Sequence, residues 1–303
     1  MNEAMPLPHH DEQAATLFGD DTWCVRYLFH LRWPGDFICP YCGLSGGRRE
    51  AQATITCRGC GKTCSITSGT LLHGTKKPPS TWLRMTWWLC GPQEVLSAKL
   101  LQHQFHITNY QSAWKWLKIL RLAMKRVNRK RCAGSIEIDS RFIPFGAAPA
   151  SGRYLLAAVE VEPKQRLPGR VSLAQHPTLA ADMLFSFIER CSEPGSTILA
   201  PDRPEFLLDS GPDRLYLQEP RCLRQERANE AIDGCLGSFS ARLGPKMTAA
   251  RLQEHLDDFC FQTNARLSDR GARFEQLVKA LLLPPPGGLR KRATDACRAG
   301  GPP

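Results

Sequence analysis

Hydrophobic residues recur at helical spacing over much of the N-terminal half of the chain. A short helical pattern lies within residues 14–37, where Asp20 or Asp21 can serve as the N-cap. Pro78 and Pro79 then break the pattern. Three helices are predicted after this break: from Ser80 to Cys90, from about Glu94 to Phe105, and from Asn109 onwards.

The third of these helices combines a regular apolar stripe with basic residues on its other faces. The apolar positions follow a 4-3-4-3 spacing: Ala113, Leu117, Leu120, Met124 and Val127. The basic residues are Lys115, Lys118, Arg121, Lys125 and Arg126. A helix, a short turn and a basic amphipathic helix are typical of a helix-turn-helix, in which the last helix enters the major groove of DNA. A generic three-helix bundle is the alternative that this pattern leaves open.

The periodicity changes from helical to strand-like after about residue 133. Apolar segments of strand length occupy residues 135–139, 153–161, 170–174 and 196–200. Between the third and the fourth, Thr178 can cap a helix, and a helical pattern resumes near Glu226. The resulting order β-β-β-α-β-α predicts an α/β fold with a mixed sheet.

Positive charge is concentrated in the first half of the chain. The formal net charge is +11, and residues 1–133 contain 18 Lys and Arg against 8 Asp and Glu, whereas residues 134–285 contain 18 against 20. Between Lys76 and Arg131 there are 12 basic residues and one acidic residue, Glu94. This stretch favours a polyanionic partner, because each phosphate that is neutralised releases counterions. The alternative is a solvated basic surface.

Two closely spaced pairs of cysteines form the most specific short motif in the chain, with 14 residues between the pairs. They are Cys39 and Cys42 in CPYC, and Cys57 and Cys60 in CRGC. This spacing is close to that of a four-cysteine zinc site, since both thiolates of one tight turn can face one tetrahedral ion. Gly43 and Gly61 follow the pairs and suit the turns. Cys64 either competes as a ligand or is a small buried residue.

The remaining cysteines indicate a reducing compartment. The chain has 13 cysteines, an odd number, without a disulfide framework and without an evident signal peptide. No stretch approaches the ~18–20 apolar residues of a membrane span. We therefore expect a cytoplasmic protein with no membrane partner.

Acidic residues follow the predicted strands of the second half. Asp139 ends the first strand, Asp202 follows the fourth, and Glu230 and Asp233 share one face of the helix near Glu226. Carboxylates that converge at one sheet edge can hold hard divalent cations, which prefer oxygen ligands. Two such ions can activate an attacking hydroxyl and stabilise a leaving one in phosphoryl transfer. The pattern predicts a magnesium site and leaves open whether Glu230 or Asp233 is the third acid.

Several longer segments are similar to those of one protein family. The head contains YLFHLRWPGDFICPYCG, CRGCGKTCSITSGTLLH and QSAWKWLKILRLAMKR, and the second half contains SIEIDSRF and EPGSTILAPD. Over about residues 14–280 the chain resembles bacterial insertion-sequence transposases of the DDE class that carry an N-terminal zinc ribbon. The resemblance implies Mg-dependent cleavage and transfer of DNA strands by an RNase H-like domain.

Together with the composition, the resemblance predicts five segments. These are a disordered segment (1–13), a zinc-ribbon module (14–76), a DNA-binding helix-turn-helix (77–132), an RNase H-like domain (133–285) and a flexible tail (286–303). The four thiolates would hold Zn²⁺, and Asp139, Asp202 and Glu230 would hold Mg²⁺. The partners implied are double-stranded DNA, as terminal repeats and as target. A homodimer or higher oligomer on DNA is expected, because two DNA ends must be paired.

The sequence departs from the family pattern in its second half. Ser140 stands where the family usually has a glutamate after the first aspartate. Pro201 occupies a position where the second aspartate is expected, which shifts that residue to Asp202. The alternative function is therefore a DNA-binding protein derived from a transposase, with an inactive nuclease domain.

Overall fold

A computed structural model describes residues 5–51, 53–92, 96–144, 152–161, 168–199, 222–243 and 247–286 of the 303-residue chain. Within these ranges, the side chains of residues 51, 181 and 222–230 are outside the described set. The chain divides into two compact units. One unit consists of Met1–Ala123 with Asp269–Pro303, and the other of Met124–Ser268.

The first unit contains helices around a small antiparallel sheet. Its elements begin with α1 (Asp11–Leu17) and α2 (Asp21–Arg32). The sheet follows, with the spatial order β1-β2-β3: β1 (Gly47–Ala51), β2 (Thr54–Cys57) and β3 (Thr63–Ser65). Next come α3 (Pro79–Leu89), α4 (Ala98–Gln104) and α5 (Tyr110–Val127), the last of which continues into the second unit.

The second unit is built on a four-stranded mixed sheet with the spatial order β6-β5-β4-β7. Its strands are β4 (Ser135–Pro144), β5 (Gly152–Glu160), β6 (Val171–His176) and β7 (Thr197–Leu199). Neighbours among β4, β5 and β6 are antiparallel, and β7 runs parallel to β4. The later helices are α6 (Ala181–Cys191), α7 (Cys222–Ser240), α8 (Ala249–Asn264) and, in the first unit, α9 (Arg270–Leu281). The mixed α/β architecture predicted from the sequence is confirmed.

Both faces of the mixed sheet are covered by buried apolar side chains. On one face, Ala157 and Val159 of β5 pack in a cluster with residues of α7 and α8. On the other face, Ile136 and Ile138 of β4 pack with residues of α6. Each fully buried valine or isoleucine side chain contributes about 1.5–3 kcal/mol. The sheet is therefore the core of its unit, and β4 is one of its two central strands.

The helix α9 joins the first unit through aromatic contacts. The ring centroid of Phe274 lies 5.6 Å from that of Trp87 in α3. The guanidinium of Arg270 lies 4.2 Å from the Trp87 ring centroid, and its Nη1 lies 2.8 Å from Asp11 Oδ1 in α1. The Arg270–Asp11 ion pair thus joins α9 to α1, and α1 begins at Asp11, inside the segment 1–13 for which disorder is predicted.

The strand β4 is longer than the sequence pattern predicts. It extends to Pro144, five residues past its predicted end at Asp139. Residues 140–144 continue the antiparallel register with β5, from the Ser140–Leu156 pair to the Pro144–Gly152 pair. Asp139 therefore lies in the middle of a strand and not at its end, which corrects the prediction.

Two helix starts also differ from those predicted. The helix α3 begins at Pro79, and its N-cap position forms no side-chain hydrogen bond, so Ser80 is not the cap. In α6 the N-cap position is Ala180, while Thr178 N–H donates to His176 Nδ1 at 3.3 Å. The cap predicted for α2 is confirmed, since Asp20 accepts from Thr22 N–H at 2.8 Å. None of the described helices is both long and apolar enough to cross a membrane.

Candidate functional site

Each cysteine pair of the head lies on a tight turn that begins at its first cysteine. In the first turn, Gly43 N–H donates to the Cys39 carbonyl at 2.9 Å, and Tyr41 N–H donates to Cys39 Sγ at 3.4 Å. The turn from Cys57 to Gly61 repeats these contacts at 3.0 and 3.3 Å. The two glycines have φ angles of +76° and +67°. Glycine adopts such angles at no steric cost, which explains its place after each pair.

The four sulfur atoms form a compact group. Cys39 Sγ lies 3.7 Å from Cys60 Sγ, and Cys42 Sγ lies 3.6 Å from Cys57 Sγ. All four ligand atoms lie within 4.8 Å of one another. A tetrahedral Zn²⁺ with bonds of about 2.3 Å requires sulfur separations of about 3.8 Å. The predicted ligands therefore fit zinc, and together they leave no open coordination position.

The surroundings of the four thiols shift their pKa values in different directions. Backbone N–H groups of Cys60 and Gly59 lower the pKa of Cys57 to about 7. Burial raises the pKa of Cys39 to about 11. Adjacent thiolates repel one another, so a bound cation is what allows all four to remain deprotonated.

Cys64 is not part of the metal-binding group. Among the described residues, the four cysteines are the group of His, Cys, Asp or Glu that could hold a metal ion. Cys64 is buried, its Sγ lies 3.8 Å from the Lys62 carbonyl oxygen, and burial raises its pKa. It is the small core residue that the sequence analysis considered as one of two possibilities.

The four-cysteine group lies inside a segment that matches a known domain family. Residues 19–63 match the transposase zinc-ribbon domain of the IS1595 type. This match contains the helix α2, both cysteine pairs and the first residue of β3, and it does not reach the α/β unit. Comparison of the chain with curated proteins and with solved structures gave no match. The zinc ribbon thus relates this protein to transposases, and zinc is the metal of the four-cysteine group.

Two of the basic residues predicted to bind DNA, Lys115 and Lys118, are exposed on α5, as is Lys125. Lys115 and Lys118 lie on the face opposite the buried stripe, which is centred on Leu117 and Leu120. The Lys118 ammonium lies 4.0 Å from the ring centroid of Trp114, which is itself 40% exposed. This pairing holds a cation and an aromatic face at the same exposed surface.

The other three basic residues of α5 contact protein groups. Arg121 Nη2 donates to the Leu96 carbonyl at 3.4 Å. Lys125 Nζ lies 3.8 Å from Asp257 Oδ2, and burial lowers the pKa of Arg126. The five residues predicted as one DNA-binding set therefore differ in how far their charge is available to a polyanion.

The predicted catalytic acids are described only in part. Asp139 pairs with Ala157 of β5, and its carboxylate accepts from Ser140 N–H at 2.7 Å. Asp202 lies outside the described residues, three positions after the end of β7. Glu230 is a residue of α7, but its side chain is outside the described set. The convergence of these three acids stays a prediction.

Asp233, the alternative third acid, is bound to a cation. It is exposed on α7, and its Oδ1 accepts a hydrogen bond from Arg141 Nη2 of β4, which also forms an ion pair with it. Arg141 lies two residues after Asp139 on the same strand, so both project from the same face. No local sequence pattern predicts this role of Arg141.

Glu137 is a second residue of the site that was not predicted from the sequence. It is 3% exposed, and its Oε2 has no hydrogen-bond partner within the described residues. Burial raises the pKa of its carboxyl to about 8. The available signal was the alternation in SIEID, which places Glu137 and Asp139 together on one face and Ile136 and Ile138 on the other.

Proposed function

We propose that the protein is a DDE-class transposase that binds the DNA ends of its element and catalyses Mg-dependent strand cleavage and transfer. The observation that carries this proposal is the four-sulfur cluster within residues 19–63, the segment that matches the transposase zinc ribbon. Zinc with four thiolate ligands is structural and not catalytic. The ribbon therefore presents a folded surface to DNA, and the chemistry belongs elsewhere in the chain.

Double-stranded DNA is the proposed partner of the N-terminal part. The stretch from Lys76 to Arg131 is strongly basic, and Lys115 and Lys118 are exposed on α5. The helices α4 and α5 flank a short turn in which His106 has a φ of +47°, and they form the proposed helix-turn-helix. Lysines on α5 contact phosphates and position the helix, while contacts with base edges supply sequence recognition.

The second unit is the proposed RNase H-like nuclease domain. Its three antiparallel strands, a helix and a fourth strand parallel to the first support this assignment. Asp139 lies on β4, and β7 runs beside β4 and ends three residues before Asp202. One proposed metal ligand, Asp139, therefore lies on β4. The second, Asp202, follows the neighbouring strand β7 in the sequence.

Glu230 is favoured over Asp233 as the third acid. A guanidinium that is already paired with a carboxylate competes with a metal ion for the same oxygen atoms. Asp233 is in this state because Arg141 donates to it, and Glu230 lies almost one helical turn earlier on α7.

The proposed residues supply the donors that magnesium prefers. Asp139 is a half-buried carboxylate in β4, and Asp202 and Glu230 add further oxygen ligands. Mg²⁺ bound there would lower the pKa of a water molecule and neutralise charge that develops on the phosphate. The carboxylates hold this centre in place while the basic head holds the DNA, so catalysis is mainly positioning and charge neutralisation.

The reaction needs no covalent protein intermediate. Water attacks a phosphodiester at the element end, the P–O3′ bond breaks, and a 3′-hydroxyl and a 5′-phosphate result. The 3′-hydroxyl then attacks a phosphodiester of the target DNA, the P–O3′ bond of the target strand breaks, and the target 3′-oxygen leaves as a hydroxyl. Because two element ends must be joined to one target, we propose a homodimer or a higher oligomer as the active species.

Strand cleavage tests the proposed function. The zinc-loaded protein is incubated with Mg²⁺ and a plasmid that carries the DNA flanking the coding sequence. We expect cleavage by the unaltered protein and a loss of about a hundredfold or more in Asp139→Ala, since a transition-state interaction is removed. The control is Asp182→Ala, an exposed acid on α6 of the same unit, which should cleave normally.

A DNA-binding protein with an inactive nuclease domain is the second candidate. The Arg141–Asp233 ion pair favours it, because a guanidinium two residues from Asp139 opposes cation binding nearby. Gel-shift measurements on the same plasmid fragments separate the two functions. If the unaltered protein and Asp139→Ala both shift DNA and neither cleaves it, the second candidate is correct.

A further inference from the structure

Glu137 and Asp139 lie on the same face of β4. Glu137 pairs with Val159 and Asp139 with Ala157 of β5, and both partners belong to the apolar cluster formed with α7 and α8. Side chains at positions i and i+2 of a strand project from one face, with Cα atoms about 6.6–6.8 Å apart. The helix α7, which contains Glu230, packs against β4 and β5.

The Glu137 carboxyl is buried, and one of its oxygen atoms has no partner among the described residues. It is 3% exposed, and Oε2 has no hydrogen-bond partner in the described part of the chain. Its neighbours in the sheet are Val159 on one side and Leu199 on the other, and neither can neutralise a carboxylate. An apolar side chain of the same volume would avoid the cost of removing a carboxyl group from water. Packing alone therefore does not account for a glutamate here.

We propose that Glu137 is a further ligand of the divalent-metal site that includes Asp139. This inference rests on the proposed nuclease function and adds to it a carboxylate that the three predicted acids do not include. A cation held between the two side chains would neutralise the buried Glu137 carboxylate. Two carboxylates on adjacent same-face positions of one strand can both supply oxygen atoms at the ~2.0–2.1 Å that Mg²⁺ requires.

Manganese binding tests the proposal independently of DNA cleavage. Mn²⁺ is the probe, since it takes oxygen ligands and binds more weakly than zinc to a given site, so it leaves the zinc ribbon loaded. Free Mn²⁺ is measured by electron paramagnetic resonance during titration of the zinc-loaded full chain. We expect the dissociation constant to rise about tenfold or more in both Glu137→Gln and Asp139→Asn, given that loss of even an outer-shell partner costs 10–100-fold.

A thermal-shift measurement separates a ligand from a structural residue. A ligand that binds the folded protein raises its Tm. We expect the Mn-induced rise in Tm to be smaller in Glu137→Gln than in the unaltered protein, without a loss of Tm in the absence of Mn²⁺. A purely structural role would lower the metal-free Tm and leave the Mn-induced rise intact, which would overturn the proposal. If Glu137→Gln does not fold, Glu137→Met provides the same comparison.

The controls distinguish this inference from the proposed function. Glu193→Gln alters an exposed glutamate of the same unit and should bind Mn²⁺ as the unaltered protein does. If Asp139→Asn weakens binding and Glu137→Gln does not, Glu137 is not a ligand and the nuclease site stands. If the unaltered protein binds no Mn²⁺, the proposed nuclease site and the role of Glu137 both fail.

Discussion

The four thiolates hold the strands and turns of the zinc ribbon together, because its sheet buries little apolar surface of its own. The three strands of its sheet are short, and Ile55 is the large apolar side chain that they bury. One such side chain contributes about 1.5–3 kcal/mol. Structural zinc in small peptides contributes about 10–16 kcal/mol to folding. The metal therefore outweighs any single apolar contact of the ribbon.

Removal of one ligand should consequently empty the site. We expect Cys60→Ser to lose its bound zinc, measured as metal content after gel filtration by mass spectrometry. The matched control is Cys64→Ala, which removes a buried thiol that is close in sequence but outside the four-sulfur group. Cys64→Ala should keep one zinc per chain. Full zinc in Cys60→Ser, or loss of zinc in Cys64→Ala, would show that the ligand set is wrong.

At the level of elements, the sequence predicts what depends on local pattern. The zinc turns follow from cysteine spacing and glycine, and the apolar stripe on α5 follows from helical periodicity; both are confirmed. The extension of β4 to Pro144 was not predictable, because residues 140–144 lack apolar alternation and owe their strand conformation to pairing with β5. The Arg141–Asp233 pair was also not predictable, because its members are 92 positions apart and no local pattern connects them.

A further long-range contact lies at the edge of the mixed sheet that is formed by β6. Asn264, at the end of α8, accepts from Val171 N–H at 2.7 Å and donates to the Val171 carbonyl at 2.9 Å. Val171 begins the edge strand β6 and is buried. The asparagine amide thus replaces the hydrogen bonds that a neighbouring strand would supply.

Loss of this amide should loosen β6 locally. Asn264→Leu leaves a buried N–H and a buried C=O unpaired, which costs about 1–3 kcal/mol. We expect amide hydrogen exchange in β6 to accelerate about tenfold or more, because about 1.4 kcal/mol corresponds to a factor of ten. Arg251→Ala, on the exposed side of α8, should leave the exchange unchanged. Equal protection in Asn264→Leu and the unaltered protein would contradict the role of the amide.

In the molecule as a whole, the excess of basic residues and the mixed sheet belong to different parts of the chain. Residues 1–133 carry ten more basic than acidic residues (18 against 8), and residues 134–285 carry two fewer (18 against 20). The segment that matches the zinc ribbon and the exposed lysines of α5 belong to the basic part, whereas the sheet with Asp139 belongs to the nearly neutral part. This separation suits the proposed nuclease centre, since abundant cations near the carboxylates would compete with the metal.

Salt dependence of DNA binding measures how the basic part contributes. The slope of log K against log salt is negative, and it becomes less negative by about 0.9 for each phosphate that the protein no longer neutralises. We therefore expect the double variant Lys115→Ala/Lys118→Ala to make the slope less negative by about 2, measured by fluorescence anisotropy with a random-sequence duplex. Lys125→Ala should change the slope less, because its ammonium lies 3.8 Å from Asp257 Oδ2. The control is Lys279→Ala, whose ammonium lies 2.6 Å from Glu275 Oε1 on α9 and should leave the slope unaltered. If the double variant binds with the same slope as the unaltered protein, α5 does not face the phosphates, and the helix-turn-helix assignment is wrong.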